Sequence, residues 1–117
     1  MTYALTLGEM TPALRVLRLI AAECAHLPAP FVHLTPLEPE RLELSLHDVD
    51  LTGDTFNVFE LWREALGIDP DQVTFRVQGN GRTRVLRATG PHGGAEVTLT
   101  AYADAPAVVT TTTGGAA

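Results

Sequence analysis

The stretch DTFNVFELWREALG, residues 54–67, holds the single Trp of the chain, Trp62, and two of its four Phe. Asp54 is a favourable N-cap, and Gly67 occupies the position at which a left-handed residue ends a helix. Apolar side chains fall on one side of this helix and must be buried against another element. The pattern predicts an amphipathic helix that carries the largest core side chain, Trp62. Its apolar side comprises Val58, Phe59, Leu61, Trp62, Ala65 and Leu66, and its polar side Asn57, Glu60, Arg63 and Glu64.

An earlier helix is predicted from Thr11, an N-cap followed by Pro12 at the first helical position, to about His26. Leu19 is expected to be exposed beside Arg15, where a partner protein could bind. Cys24 has no cysteine partner and is expected to be a buried apolar residue rather than a reactive thiol. The predicted buried stripe is Ala13, Val16, Leu17, Ile20, Ala21 and Cys24.

Extended segments fill the space between and after the helices. Residues 31–35 and 41–47 predict an antiparallel pair, and the second segment alternates strictly between apolar and polar residues. After the Trp62 helix, Asn80 and Gly81 predict a type I′ hairpin turn. This turn places Thr74 opposite Arg87 and Phe75 opposite Leu86. A reversal over residues 90–94 then predicts a last strand, and a register that pairs Arg87 with Glu96 would set opposite charges across the two strands.

The element order α-β-β-α-β-β-β predicts an α+β two-layer sandwich, with a mainly antiparallel sheet of about five strands and both helices on one face. Trp62 is expected to pack against the strand faces that carry Leu44 and Phe75. The other face of the sheet is expected to be polar and solvated. We expect one domain over residues 1–103 and an Ala/Thr/Gly-rich tail over residues 104–117.

Charge and composition narrow the classes of function. The chain of 117 residues has a net charge of −6, which argues against a general nucleic-acid binder. All eight basic residues are Arg, and residues 72–103 carry four of them against a single acidic residue, Glu96. No signal peptide and no long apolar run is evident, so the expected location is cytoplasmic, with no membrane association.

Motifs for catalysis or cofactor binding are lacking in the sequence. It contains no phosphate-binding glycine loop, no nucleophile elbow and no zinc-binding spacing, and no cofactor is predicted. The segment His47-Asp48-Val49-Asp50 is the best candidate for a divalent cation, because it combines an imidazole with two carboxylates at a strand end. Neighbouring strand residues point to opposite faces, however, which weakens His47 and Asp48 as a pair of ligands.

Arginines of the predicted hairpin form the second candidate site. Arg76 and Arg87 are expected on the solvent face with Tyr102, and Arg84 on the opposite face or near the turn. Guanidinium groups arranged in this way suit a small anion such as a phosphate or a carboxylate. Tyr102 is the single aromatic candidate for stacking on this face, which disfavours single-stranded nucleic acids.

These observations leave three hypotheses of function. The first is a non-catalytic binding or regulatory module that acts through protein contacts, as a homo-oligomer such as a homodimer, with Leu19 and Arg15 as candidate contact residues. The second is a binder of a small anionic ligand or of nucleic acid through Arg76, Arg84, Arg87 and Tyr102. The third is a metal-dependent hydrolase at His47, Asp48 and Asp50. An enzyme is less favoured than a binding protein.

Overall fold

The structure, a computed structural model, describes residues 6–47 and 55–104. The predictions for residues 1–5, for Asp54 as an N-cap and for the tail after Asp104 lie outside the described residues. The helices and strands follow the predicted order, and the α+β fold class is confirmed. Their bounds are α1 Thr11–Glu23, β1 Phe31–His33, β2 Arg41–Leu46, α2 Thr55–Leu66, β3 Thr74–Gln78, β4 Thr83–His92 and β5 Ala95–Asp104, with short 3-10 turns at Leu7–Met10 and Pro70–Gln72.

The sheet has five strands in the order β1-β2-β5-β4-β3. All neighbouring pairs are antiparallel except the central pair, β2 and β5, which is parallel. The parallel pair aligns Leu42 with Val97 and Leu44 with Leu99, so two fully apolar rows lie side by side at the centre of the sheet. Both helices contribute to the core cluster on this face, which we call the covered face. We call the opposite face the helix-free face.

Helix α1 ends at Glu23, about three residues before the predicted end. The amide of Cys24 still donates to the carbonyl of Ile20 at 2.7 Å, but the backbone of Cys24 has left the helical region. Leu27 precedes Pro28 and so disfavours the helical conformation, which explains the early stop. Along α1 the buried side chains are Ala13, Val16 and Ile20, whereas Ala21 is exposed.

Helix α2 ends as predicted, with Gly67 in the left-handed region at φ +71°. The amide of Gly67 donates to Glu64 and that of Ile68 to Arg63, which is the Schellman arrangement. The prediction that Arg63 faces solvent is wrong, because this side chain is buried. Its Nη1 donates to the carbonyl of Ile68 at 2.7 Å and its Nη2 to the carboxylate of Glu60 at 2.9 Å. The guanidinium group therefore supplies a hydrogen-bond donor to a backbone carbonyl just after the end of α2.

The predicted burial of Trp62 is confirmed, but the prediction that Trp62 packs against Phe75 is wrong. Trp62 is 3% exposed, and its indole Nε1 donates to the carbonyl of Pro28 at 2.9 Å. Phe75 is 57% exposed, because the helices pack over β2, β5 and β4 and leave the edge strand β3 uncovered. Trp62 therefore packs toward α1 and the segment before β1, not toward β3.

The two hairpins differ in how well their registers are predicted. The β3–β4 register agrees with the predicted one for all five residues of β3, from Thr74 opposite Arg87 to Gln78 opposite Thr83. The register that would pair Arg87 with Glu96 is not the one observed, because Arg87 lies opposite Thr100 and Glu96 lies opposite Pro91. Gly93 and Gly94 both adopt positive φ and form a two-residue turn, so β4 continues to His92 instead of ending before a longer loop.

Candidate functional site

Side chains of the helix-free face form rows that cross the sheet from strand to strand. The strand registers place Phe31, Ser45, Thr100, Arg87 and Thr74 in one row. Small side chains, Ser45 and Thr100, occupy its centre, and larger ones flank it. A floor of small residues inside a rim of large ones makes a concave surface.

One flanking row contains His47 and Tyr102, whose rings stack with centroids 5.0 Å apart. The row on the other side contains His33 opposite Glu43. These residues enclose a cavity of about 290 Å³, which we call the polar dish. It is lined by His33, Glu43, Leu44, Ser45, His47, Arg87, Thr100 and Tyr102.

Contacts around His47 hold one side of the polar dish in place. The Ser45 Oγ and the His47 Nε2 are 3.1 Å apart, within hydrogen-bonding distance. The imidazole lies between two aromatic rings, stacked on Tyr102 and edge-on to Phe31 at 4.9 Å. Three side chains from three strands thus fix the orientation of this imidazole.

Ion pairs distinguish the arginines of this chain. Arg41, on the helix-free face, contacts Glu96 at 2.8 Å, and this hydrogen bond raises the pKa of Arg41. Arg63 is paired with Glu60 in the same way. Within residues 6–47 and 55–104, Arg87 has no carboxylate within 4 Å and keeps an exposed side chain. Its guanidinium is available to a ligand.

The structure brings together some of the predicted anion-binding residues. Arg87 and Tyr102 both line the polar dish, whereas Arg76 lies on the same face but outside it, on the edge strand. Arg84 lies on the covered side, with its guanidinium carbon 4.9 Å from the centre of the Phe56 ring. The part of the dish formed by Ser45 and Thr100 was missed, because small polar residues that alternate along a strand carry no distinct sequence signal.

The metal hypothesis can be followed only in part, since Asp48 and Asp50 lie outside the described residues. His47, its third member, points into the polar dish. Among residues 6–47 and 55–104, no group of three or more His, Cys, Asp or Glu side chains could hold a metal ion. The cation site at residues 47–50 stays a prediction.

The contact between Ser45 and His47 has the spacing of a nucleophile and its base. A base of this kind is normally oriented by a carboxylate or a carbonyl on its second nitrogen. Within the described part of the chain, no such hydrogen bond to His47 is present.

The contact residues predicted on α1 are both exposed. Arg15 and Leu19 lie on the outer side of that helix, as expected. Leu19 lies beside the β4–β5 turn, since a Cβ atom at Gly93 would be 3.7 Å from its Cδ2 atom. The surface around Leu19 is therefore formed by the helix and the turn together.

The two edge strands are exposed at every residue but differ in length and in the residues that flank them. Edge strand β1 has three residues, follows Pro28 and Pro30, and packs its Phe31 ring on His47. Edge strand β3 has five residues, all exposed, and its Phe75 and Val77 lie uncovered on the helix side. Short, proline-flanked edges are a common protection against strand pairing, and β3 lacks that protection.

Scans against protein-family models, curated proteins and solved structures found no match to this chain. Among the residues that the structure describes, no helix is long and apolar enough to cross a membrane.

Proposed function

We propose that this chain is a non-catalytic protein-interaction module that forms a homodimer by pairing the β3 strands of two copies. The observation that carries the proposal is the exposure of all five β3 residues at the edge of the sheet. Among residues 6–47 and 55–104, no strand pairs with the outer edge of β3, and Phe75 and Val77 add exposed apolar surface to it. Such a strand is a template for addition of another strand.

Symmetry restricts how β3 can pair with its own copy. A two-fold axis perpendicular to the sheet keeps the two covered faces on one side, so it passes midway between one residue of β3 and the same residue of the second copy. An axis through Phe75 sets the two Phe75 side chains opposite each other and Arg76 opposite Thr74 of the second copy. An axis through Arg76 would set two guanidinium groups face to face, which is destabilising. We therefore propose the register centred on Phe75.

The unequal edges support a closed dimer over an open chain of subunits. Strand β1 offers three residues for pairing, and its Phe31 side chain already packs on His47. A contact between β3 and β1 would join unlike surfaces and could propagate into a filament. Pairing β3 with β3 uses the same surface twice and leaves no further β3 edge free.

Sedimentation equilibrium at micromolar concentrations tests the dimer. The wild-type chain is expected at about twice its monomer mass of 12.5 kDa. Phe75→Lys should give the monomer, because it would oppose two ammonium groups across the proposed axis. The amides of β3 that point away from β4 should exchange with solvent more slowly as protein concentration rises.

Phe31→Lys is the matched control, since Phe31 and Phe75 are each 57% exposed and each lie on an edge strand. This variant should remain dimeric. A monomer mass for the wild-type chain, or dissociation by Phe31→Lys to the same extent as by Phe75→Lys, would contradict the proposal. Trp62 fluorescence reports whether each variant is folded, because the indole is buried in the core.

The proposed location of the module is the cytoplasm. Cys24 is the sole cysteine of the chain and a free thiol, as is usual in a reducing compartment. Burial raises the pKa of this thiol, so it is also poorly suited to act as a nucleophile. The thiol therefore supports a structural rather than a catalytic role for α1.

A further inference from the structure

The polar dish has two oppositely charged rim residues that do not bond to each other. Arg87 and Glu43 both line the cavity, on β4 and β2 respectively. They lie two strands and two residues apart, which corresponds to a Cα separation of about 12 Å. Among the described residues, neither side chain forms an ion pair within 4 Å. A cation and an anion thus lie on opposite sides of one concave surface.

Between these charges, the floor offers hydroxyl groups. Thr100 is 7% exposed and lies opposite both Ser45 and Arg87 in the strand register. The Ser45 hydroxyl is hydrogen-bonded to the His47 imidazole, which is stacked on the Tyr102 ring. The floor can therefore hydrogen-bond a polar ligand without rearrangement of the strands, and such preorganisation lowers the free-energy cost of binding.

Charge balance selects the class of ligand. A chain with a net charge of −6 repels a multiply charged anion, and Glu43 adds a negative charge inside the same cavity. Arg87 alone suits a single carboxylate, which a guanidinium can bind through two hydrogen bonds. Glu43 suits a protonated amine. The volume of about 290 Å³ lies at the lower end of ligand sites, so a small molecule is indicated.

We infer that the polar dish binds a small amino-carboxylate, with the carboxylate on Arg87 and the ammonium group on Glu43. The hydroxyls of Ser45 and Thr100 lie beneath the chain that joins the two charges. The inference does not depend on the proposed dimer, because the dish is built by β1, β2, β5 and β4 and excludes β3.

Three probes of matched length test the inference on the full chain: 4-aminobutanoate, butanoate and 1-aminobutane, with inorganic phosphate as a fourth. Calorimetry and histidine NMR signals measure binding. We expect 4-aminobutanoate to bind about tenfold more tightly than either singly charged analogue, since each end adds a charge-assisted hydrogen bond. The signals of His33 and His47 should shift, and those of His26 and His92, which do not line the cavity, should stay unchanged.

Single substitutions assign the two ends. Arg87→Gln should weaken binding of 4-aminobutanoate about tenfold or more, and Glu43→Gln should reduce it to the level of butanoate. Arg76→Gln is the matched control, because Arg76 lies on the same face outside the cavity. It should leave binding unchanged, as should the Phe75→Lys variant that tests the dimer.

Several outcomes would overturn the inference. Equal or tighter binding of butanoate or phosphate would assign the dish to simple anions. An equal loss with Arg76→Gln and Arg87→Gln would mean that diffuse charge, rather than the dish, attracts the ligand. The absence of any shift of the His33 and His47 signals with all four probes in the millimolar range would leave the dish without this ligand class.

Discussion

The two faces of the central strand β5 reach burial by different routes. On the covered face, Val97 and Leu99 are buried beneath both helices within one apolar cluster. On the helix-free face, Thr98 is 1% exposed although neither α1 nor α2, the two α-helices in the described part of the chain, lies over it. It belongs to the central strand and lies between Glu43 and Thr89 in the strand register. This face is mostly polar, as expected, but Thr98 and Thr100 at its centre are buried rather than solvated.

The comparison shows that a residue on the central strand can be as buried on the helix-free face as on the face that the helices cover. The two environments are chemically distinct, however. Thr98 keeps its hydroxyl 3.2 Å from that of Thr89, whereas Val97 is surrounded by apolar groups. A buried polar group needs such a partner, because burial without one is costly. The helix-free face is thus a hydrogen-bonded surface, and the covered face is an apolar core.

The largest effect is expected from breaking the covered face at its largest side chain. Trp62→Ala should lower the free energy of unfolding by about 3–5 kcal/mol, because it removes a buried ring and leaves a cavity. Urea unfolding measures the change, and wild-type Trp62 emission should be blue-shifted and poorly quenched by acrylamide. Leu61→Ala, one residue earlier and half exposed, is the control and should cost less than about 1 kcal/mol. Similar costs for the two variants would place Trp62 outside the core.

Two opposite substitutions sharpen the comparison: one replaces a methyl group with a hydroxyl on the covered face of β5, and the other replaces a hydroxyl with a methyl group on its helix-free face. Val97→Thr should cost about 1–3 kcal/mol, because it buries a hydroxyl among apolar groups. Thr98→Val on the other side removes the bond to Thr89 and should cost about 0.5–1.5 kcal/mol. Thermal unfolding of the two variants is the measurement. A larger loss for Thr98→Val would mean that the hydrogen-bonded surface contributes more than its pairwise contact indicates.

The smallest difference is expected between two arginine–glutamate ion pairs, one near the end of α2 and one on the helix-free face. Arg63→Gln should cost about 1–3 kcal/mol, because the Ile68 carbonyl loses a buried donor. Arg41→Gln should cost less than about 1 kcal/mol, since its partner Glu96 is half exposed. Added salt should abolish the second effect and leave the first. Equal salt sensitivity would contradict the difference in burial.

The ion pair between Arg63 and Glu60 also predicts how the stability of the protein changes with pH. The bond to Arg63 lowers the pKa of Glu60 below its ordinary value of 4.5. A carboxylate whose pKa is lowered by folding contributes stability above the ordinary value, and that contribution is lost as the pH falls below it. Melting temperatures followed from pH 6 downward should therefore fall less steeply in Arg63→Gln than in the wild-type chain. An unchanged slope would show that this half-exposed carboxylate contributes little.

Short-range patterns predicted the parts of the fold that depend on neighbouring residues. Asn80 and Gly81 set the β3–β4 register, and Gly67 marked the end of α2. The alternation of residues 41–46 identified the buried leucines of β2 correctly. By contrast, the β4–β5 register could not be predicted, because residues 90–94 allow either a five-residue loop or a two-residue turn, and Pro91 gave no sign of belonging to the strand.

Of the residues that line the candidate site, only the charged and aromatic ones could be predicted from the sequence. Arg87 and Tyr102 could be assigned to one face by alternation, and His33 to the face of Glu43. That these residues enclose one cavity depends on β2 lying beside β5, a parallel pair formed by strands about fifty residues apart in sequence. No local pattern encodes that neighbour.

The amino-acid sequence by itself determined the order of helices and strands, the end of α2 and the turn of the β3–β4 hairpin, because capping and turn energies act within a few residues. The tertiary structure alone decided that β5 lies between β2 and β4, that Phe75 is exposed and that Arg63 and Thr98 are buried. These outcomes depend on which surfaces meet, and hydrophobic burial is non-directional and does not specify a partner. The polar dish and the free β3 edge are products of that second level.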